Sequence, residues 1–243
     1  MMMDALKKGG YGFVISEALA QINEGAEILD VNCGYAGIDE AQVLEAIVKV
    51  LQNAVKTPIM LDSADYKALE RAAEAYKGKP IINSVNGKKE SLDNILPVVK
   101  KYSAAVVGMC LDEDGIPQTV EGRIKITGRI IAEAEKYRIP KEDIIIDCVC
   151  EAAVLRQENI DKFLNGDGIT DEKIIRNDIK SGGAKLTLEA IKAVKKKFGV
   201  RTILGISNIS YGLPDRGGLN KIFLERAAEA GLDMAIMNPR DRY

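Results

Sequence analysis

A parallel α/β barrel of the (β/α)8 type, lacking a recognisable first strand and last helix, is the fold that this chain of 243 residues predicts. Three observations lead to it. Short β-branched apolar runs alternate with helical patterns, and such alternation forces right-handed crossovers and a parallel sheet. Seven of these runs occur, none interrupted by an interior proline, which favours closure into a barrel over a doubly wound sheet. Five of the runs turn abruptly polar near their ends: Ile28-Leu-Asp30-Val-Asn32, Ile59-Met-Leu-Asp62-Ser63, Ile81-Ile-Asn83-Ser84, Ile144-Ile-Ile-Asp147 and Thr202-Ile-Leu-Gly205-Ile-Ser207-Asn208. Gathered into one parallel sheet, those ends share one edge, and in such barrels the reactive groups sit where the strands finish. With 47% apolar residues the chain can bury one sizeable core, and about 250 residues is an ordinary size for a single-domain barrel, so residues 1–243 are read as one domain.

The elements follow in order. Met1 to Tyr11 is polar and glycine-containing and is assigned no strand. From Gly12 to Glu24, Val14, Ile15, Leu19, Ala20 and Ile22 fall near helical spacing. Residues 26–32 read as a strand and Cys33 to Ile38 as a loop with two glycines. Asp39 is placed to cap the next helix, whose Val43, Leu44, Ile47, Val48 and Leu51 make one stripe. Strands at 57–63, 80–85, 104–110, 143–149, 201–207 and 234–239 then alternate with helices near 65–77, 89–101, 121–137, 185–198 and 218–230. Each apolar stripe is read as core packing. Asp112-Glu-Asp114 before Gly115 reads as a solvated turn.

Two irregularities stand out. The connection from Asp147 to Arg201 is far longer than a strand-helix unit needs, and its segment 164–184 reads as an excursion on the strand-end face, serving as a lid or a docking element. Closure takes eight strands, yet the chain starts too late for a first strand and stops at Tyr243, too early for a last helix.

Composition excludes several function classes. Lys and Arg total 34 against 36 for Asp and Glu without blocks of like charge, so the electrostatic footprint of a nucleic-acid binder is missing. No run of about 18 apolar residues and no export signal is found, and with four scattered cysteines this points to the cytoplasm. Histidine is absent, which removes Ser-His-Asp and Cys-His catalysis and any imidazole ligand to zinc, cobalt or haem iron. Acid-base work falls to Asp, Glu, Lys, Tyr, amides or water. Cys33, Cys110, Cys148 and Cys150 lie at strand ends, but a Cys-x-Cys pair alternates faces in a strand and no Cys-x-x-Cys occurs, so they are read as buried small apolar groups and no metal site is expected. No glycine-rich phosphate cradle follows a strand.

Asp62, Asn83, Asp147 and Asn208 come from four different strands and offer two carboxylates and two amides. Carboxylates accept paired hydrogen bonds and amides both donate and accept, so the set suits a flat heterocycle with an amino-amide edge, such as a pterin or a purine-like ring. The plainer alternative is that each residue caps the following helix.

Asp30-Val-Asn32, Leu61-Asp62-Ser63, Ile82-Asn83-Ser84-Val-Asn86-Gly87 and above all Gly205-Ile-Ser207-Asn208-Ile-Ser210-Tyr-Gly-Leu-Pro214 resemble the pterin-binding methyltransferase family. That family includes methyltetrahydrofolate:corrinoid protein methyltransferases and the folate domain of cobalamin-dependent methionine synthase. The resemblance runs from about Gly25 to Pro239. It implies a dihydropteroate synthase-like barrel that binds methyltetrahydrofolate, or a related reduced pterin, and exchanges its methyl group with the cobalt of a cobalamin or other corrinoid carried by a partner protein. Carried over, Asp62, Asn83 and Asp147 hold the pterin edge and Gly205 and Ser207 line the ring, while Asn208 hydrogen-bonds at the methyl-bearing nitrogen. Asp147 and Asn208 are the expected catalytic pair. Arg216 is left open between the folate's acidic tail, the corrinoid protein and an ordinary solvated role. A homodimer is also implied.

The chain departs from the family in having no Gly-Glu-x-Ile-Asn type opening strand, in Cys148-Val-Cys150 after Asp147, and in residues 151–184. Two alternatives stand beside the main reading: a barrel that binds a pterin without turnover, and dihydropteroate synthase. The latter expects a Ser-Arg-Lys type segment where this chain has Ser207-Asn208-Ile209, and a late Arg-x-His that a chain without histidine cannot supply.

Overall fold

The computed structural model describes residues 10–152, 183–212 and 216–240. The chain divides into two compact units, one holding the residues up to Gly108 with Arg129–Ile145 and Asn238–Arg240, the other Met109–Gly128 and Ile146–Met237. The expected segment 164–184 lies almost wholly outside the described residues, as does Pro214.

The first unit runs α1 (Gly12–Asn23), β1 (Leu29–Asn32), α2 (Glu40–Ala54), β2 (Ile59–Asp62), α3 (Tyr66–Ala75), β3 (Ile81–Asn86), α4 (Lys89–Lys101) and β4 (Ala105–Met109), whose last residue belongs to the other unit. Its strands lie in the order β1-β2-β3-β4. β1 and β2 are parallel with Asn32 beside Asp62, and β2 and β3 are parallel with Asp62 beside Asn83, so the polar ends of β1 and β2 form one row with Asn83, which lies inside the longer β3 rather than at its end. β2 is buried from Ile59 to Leu61, as a strand covered on both faces must be. Leu44, Ile47, Val48 and Leu51 of α2 are buried, as are Ala68, Leu69, Ala72 and Ala73 of α3, and the two helices pack on each other. Each such leucine or isoleucine contributes about 1.5–3 kcal/mol over an exposed one. Asp39 caps α2, as expected, by accepting from the Gln42 amide at 3.0 Å.

The α1 stripe departs from the sequence reading. Only Ala18 of this helix is buried, whereas Phe13 and Leu19 are 47% and 45% exposed. A cavity of about 480 Å³ beside β1 lies against the Phe13, Val14 and Ala18 side of this helix, with Leu29, Val31 and Ile47 among its other walls, and of the expected stripe Val14 alone reaches it.

α5 (Val120–Lys136) and β5 (Ile144–Asp147) each have residues assigned to both units. The second unit continues with α6 (Gly183–Phe198), β6 (Arg201–Gly205), a 3-10 turn at Ile206–Ser210, α7 (Arg216–Glu229) and β7 (Met234–Ile236). β6 and β7 are parallel, with Gly205 beside Ile236. Asp233 fixes the start of β6, accepting from the Thr202 amide at 2.8 Å and from Lys195 at 2.5 Å. The α7 stripe of Leu219, Ile222, Phe223 and Ala227 is buried as expected. The expected strand 201–207 ends at Gly205, because the chain there tightens into the 3-10 turn that carries Ser207 and Asn208.

Candidate active site at the strand ends

In the first unit the row Asn32, Asp62, Asn83 is joined by Asp30, which stands two residues before Asn32 and therefore on the same face of β1. Asn83 Nδ2 approaches Asp30 Oδ1 at 3.5 Å, the long limit of a hydrogen bond. Burial raises the Asp30 carboxyl to about 6 and repulsion from Asp62 adds to this, while the Asn83 amide pulls it back. By surface area Asp30 is itself exposed, so neighbouring protein crowds this carboxyl without covering it. Asp62 is raised by burial and by Glu40, against a lowering hydrogen bond from Asn32. Glu40 stands behind the row and accepts from Ser63 Oγ at 2.5 Å.

Helix capping does not account for Asp62. The cap of α3 is Asp65, which accepts from the Lys67 amide at 2.9 Å, and the turn into α4 is bonded by Asn86, not Asn83. Both predicted residues are left to the strand-end face.

In the second unit Asp147 is engaged locally without capping a described helix: its Oδ1 accepts from the Val149 amide at 2.7 Å, closing the turn that follows β5. Burial raises its carboxyl to about 6, the Val149 amide and the Arg123 guanidinium pulling in the opposite direction. Gly205 serves Asn208 directly, since a Cβ on Gly205 would lie 3.0 Å from Asn208 Nδ2. Ser207 is half-buried and Asn208 exposed. Arg216 braces this turn, donating from Nε to Ser210 Oγ at 3.1 Å and from Nη2 to the Ser207 carbonyl at 3.3 Å.

All four cysteines are buried and free. Burial pushes the Cys33 and Cys150 thiols up to about 12, and a hydrogen bond with Cys110 together with burial raises Cys148. Neutral thiols of this kind are poor nucleophiles and poor metal ligands.

The structure thus brings Asp62 and Asn83 side by side in one unit, and Gly205 and Asn208 together in the other. Asp30 and Asn32 were absent from the residues predicted to bind, although their two-residue spacing at a polar strand end was the available signal. Arg123 was also missed, because one arginine in an amphipathic helix carries no sign of burial in the sequence.

The model for the pterin binding enzyme family matches residues 2–165. Methylcorrinoid:tetrahydrofolate methyltransferase of Eubacterium limosum is 31% identical over 241 residues, which cover 98% of this chain and 80% of that protein. Methionine synthase of Mycobacterium leprae (strain TN) is 32% identical over 244 residues; these are 97% of this chain but 19% of that much longer protein. Among solved structures, dihydropteroate synthase from Xanthomonas albilineans matches with a TM-score of 0.66 at 16% identity, covering 94% of this chain and 80% of that one. That likeness bears out the expected fold class, a dihydropteroate synthase-like α/β barrel fold. Among the described residues no helix is long and apolar enough to cross a membrane.

Proposed function

The chain belongs to the pterin-binding enzyme family, and from that membership we propose that it is a methyltransferase moving a methyl group between methyltetrahydrofolate, or a related reduced pterin, and the cobalt of a corrinoid carried by a separate protein. The observation that carries this reading is the likeness to the Eubacterium limosum methyltransferase over 98% of the chain.

The residues fit a pterin edge. Asp62 offers a carboxylate acceptor and Asn83 an amide that both donates and accepts, on adjacent strands about 4.8 Å apart. In this reading Asp62, Asn83 and Asp147 hold the amino-amide edge, and Gly205 and Ser207 line the ring. Asn208 hydrogen-bonds at the methyl-bearing nitrogen. An amine leaves poorly unless its nitrogen is protonated, and an amide can support the protonated form without a histidine. The corrinoid supplies the cobalt that takes or gives the methyl group. With no histidine in the sequence to ligate it, that metal comes with the partner. The chain acts as one barrel domain over residues 1–243, in the cytoplasm, as a homodimer.

The test is a spectroscopic assay of cobalt methylation with methyltetrahydrofolate and reduced cobalamin or candidate corrinoid proteins. Methylation of cobalt is the expected result; tight binding of the folate with no transfer identifies a binding module instead. Asn208→Ala is expected to cost about 1–3 kcal/mol of transition-state stabilisation with the fold intact. An unchanged rate removes Asn208 from the mechanism.

A further inference from the structure

Arg123 is fully buried, and what it holds is the backbone just beyond Asp147. From α5 its Nη1 donates to the Cys148 carbonyl at 2.7 Å, to the Val149 carbonyl at 2.8 Å and to Thr187 Oγ1 at 3.0 Å, while Nε donates to the Pro117 carbonyl at 3.2 Å. Thr187 Oγ1, on α6, also lies 3.0 Å from the Val149 carbonyl. Val149 has φ 58°, the left-handed region, where a β-branched residue is strained and persists only if its surroundings over-determine it. Here they do so from both ends of the residue. The Val149 amide is bound to Asp147 Oδ1 at 2.7 Å, and the Val149 carbonyl is bound by Arg123 and Thr187.

We propose that Arg123, seconded by Thr187, is the positioning residue that fixes the Asp147 carboxylate for the pterin: by clamping the left-handed Val149 turn it fixes one carboxylate oxygen on the Val149 amide and leaves the other to accept from the ligand. The inference rests on the reading of Asp147 as a pterin-binding group and adds how that group is held. A guanidinium does not deprotonate inside a protein, so Arg123 also brings a permanent positive charge to a carboxyl that burial alone disfavours. Among the described residues the other titratable groups around Asp147 are the Cys148 and Cys150 thiols on its own loop, Cys110 at the end of β4 and Glu151 beyond the turn. The Cys148 and Cys150 thiols are raised and stay neutral below pH 8. Glu151 faces Arg123 at 3.7 Å.

The experiment measures methyltetrahydrofolate affinity against pH for the full chain and for Asp147→Asn, Arg123→Lys, Arg123→Met and Thr187→Val, with each Arg123 or Thr187 change also made on the Asp147→Asn background. Wild-type binding should weaken as pH falls through about 6, where Asp147 and Asp30 both take up protons, and the part of that limb missing from Asp147→Asn belongs to Asp147. Arg123→Met should move that acid limb upward by about one pH unit. Arg123→Lys keeps the charge and loses the fork, so its limb should stay near the wild-type position while affinity drops roughly 10-fold. Thr187→Val, which keeps shape and charge, should weaken binding about 3-fold to 10-fold and serves where Arg123→Met does not fold. On the Asp147→Asn background these losses should disappear. If Asp147→Asn binds as the wild type does, the assignment of Asp147 to the pterin fails and the positioning role falls with it. If Asp147→Asn is impaired but the folded Arg123 and Thr187 variants bind normally, or lose as much on the Asp147→Asn background, the positioning role alone is overturned.

Discussion

Asp62 and Asp147 each end a strand, β2 and β5 respectively, yet the two units hold them by different means. Asp62 stands beside Asn32 and Asn83 in a row that also contains Asp30, and the charged group that acts on it is another carboxylate, Glu40. Asp147 is tied to its own turn and faces a buried guanidinium. Burial raises both carboxyls, but only Asp147 has a built-in cation to oppose the rise. Among the described residues no cation opposes the rise at Asp62, and in the proposed reading a ligand's amino and amide N–H groups supply the missing donors. The second unit supplies its own donors, so its contribution is orientation. In the proposed reading, affinity comes mainly from the first unit's residues and geometry mainly from the second's.

The sharpest way to break this contrast is to remove the charge that stands behind each carboxylate. Arg123→Met takes away the partner of three backbone carbonyls and is expected to cost about 3–5 kcal/mol in urea unfolding, the range for uncoupling a buried charge. Glu40→Gln, which weakens one hydrogen bond with Ser63 and relieves repulsion on Asp62, is expected to cost about 1 kcal/mol or less. Equal losses would mean that both units rely on charge to the same degree.

Ligand affinity sharpens the contrast from the other side. Asp62→Asn replaces a charged acceptor and should weaken methyltetrahydrofolate binding by about 1.5–3 kcal/mol, and Asn83→Ala by about 1 kcal/mol, as read by titration. If neither variant loses affinity, the first unit is not where the pterin edge sits.

The sequence made one half of this picture legible and hid the other. The end of β2 could be read because a buried parallel strand is a continuous apolar run, so the first polar residue after Leu61 marks where it stops, whereas β3 runs on past Ile82 and the polar Asn83 to Asn86. The helices could be read from period alone, with Leu92, Ile95, Leu96 and Val99 buried as spaced. Boundaries such as Gly205 were less visible, since Ile206-Ser207 continues the strand's composition into a 3-10 turn. Asp30 could be assigned only with its neighbours in register, and Arg123 only once Thr187 and the Val149 carbonyl, 64 and 26 residues away in sequence, were seen to converge on it. Periodicity reports which face a residue occupies and says nothing of which distant backbone group it meets.

The pH dependence of stability tests whether the two carboxylates nonetheless share one electrostatic state. Asp30 and Asp147 are both raised from 3.8 to about 6, so between these values the folded chain holds protons that the unfolded chain has released. Stability from these two groups therefore falls as pH rises through that window and levels off above about 6. Carboxylates lowered by ion pairs, such as Glu45 with Lys49, contribute with the opposite sign, so the variants must be compared with the wild type at each pH. The gain in urea midpoint of Asp30→Asn over wild type should be larger at pH 7.5 than at pH 4.5, and Asp147→Asn should behave likewise, less the lost Arg123 attraction. A gain independent of pH in either variant would place that carboxyl in its ordinary range.

The smallest expected effect separates the two units by a single methyl group. Gly205 has φ −74° and ψ 100°, a backbone that alanine adopts freely, so Gly205→Ala should leave stability unchanged or raise it by about 0.4–1 kcal/mol. Its new Cβ would stand 3.0 Å from Asn208 Nδ2, closer than side chains normally approach, and the exposed amide must swing aside by a few tenths of an ångström. In the first unit the corresponding change, Gly34→Ala, would place its Cβ 3.4 Å from Asn32 Oδ1 and 3.7 Å from Glu40, which is ordinary contact. Because a displaced amide costs more in a transition state than in a bound ground state, Gly205→Ala should slow methyl transfer about 3-fold to 5-fold, roughly 0.7–1 kcal/mol, with folate affinity nearly unchanged. Gly34→Ala should alter neither. If Gly205→Ala instead lowers affinity and leaves the rate alone, Asn208 holds the ring in its ground state, and the division of labour between the two units is wrong.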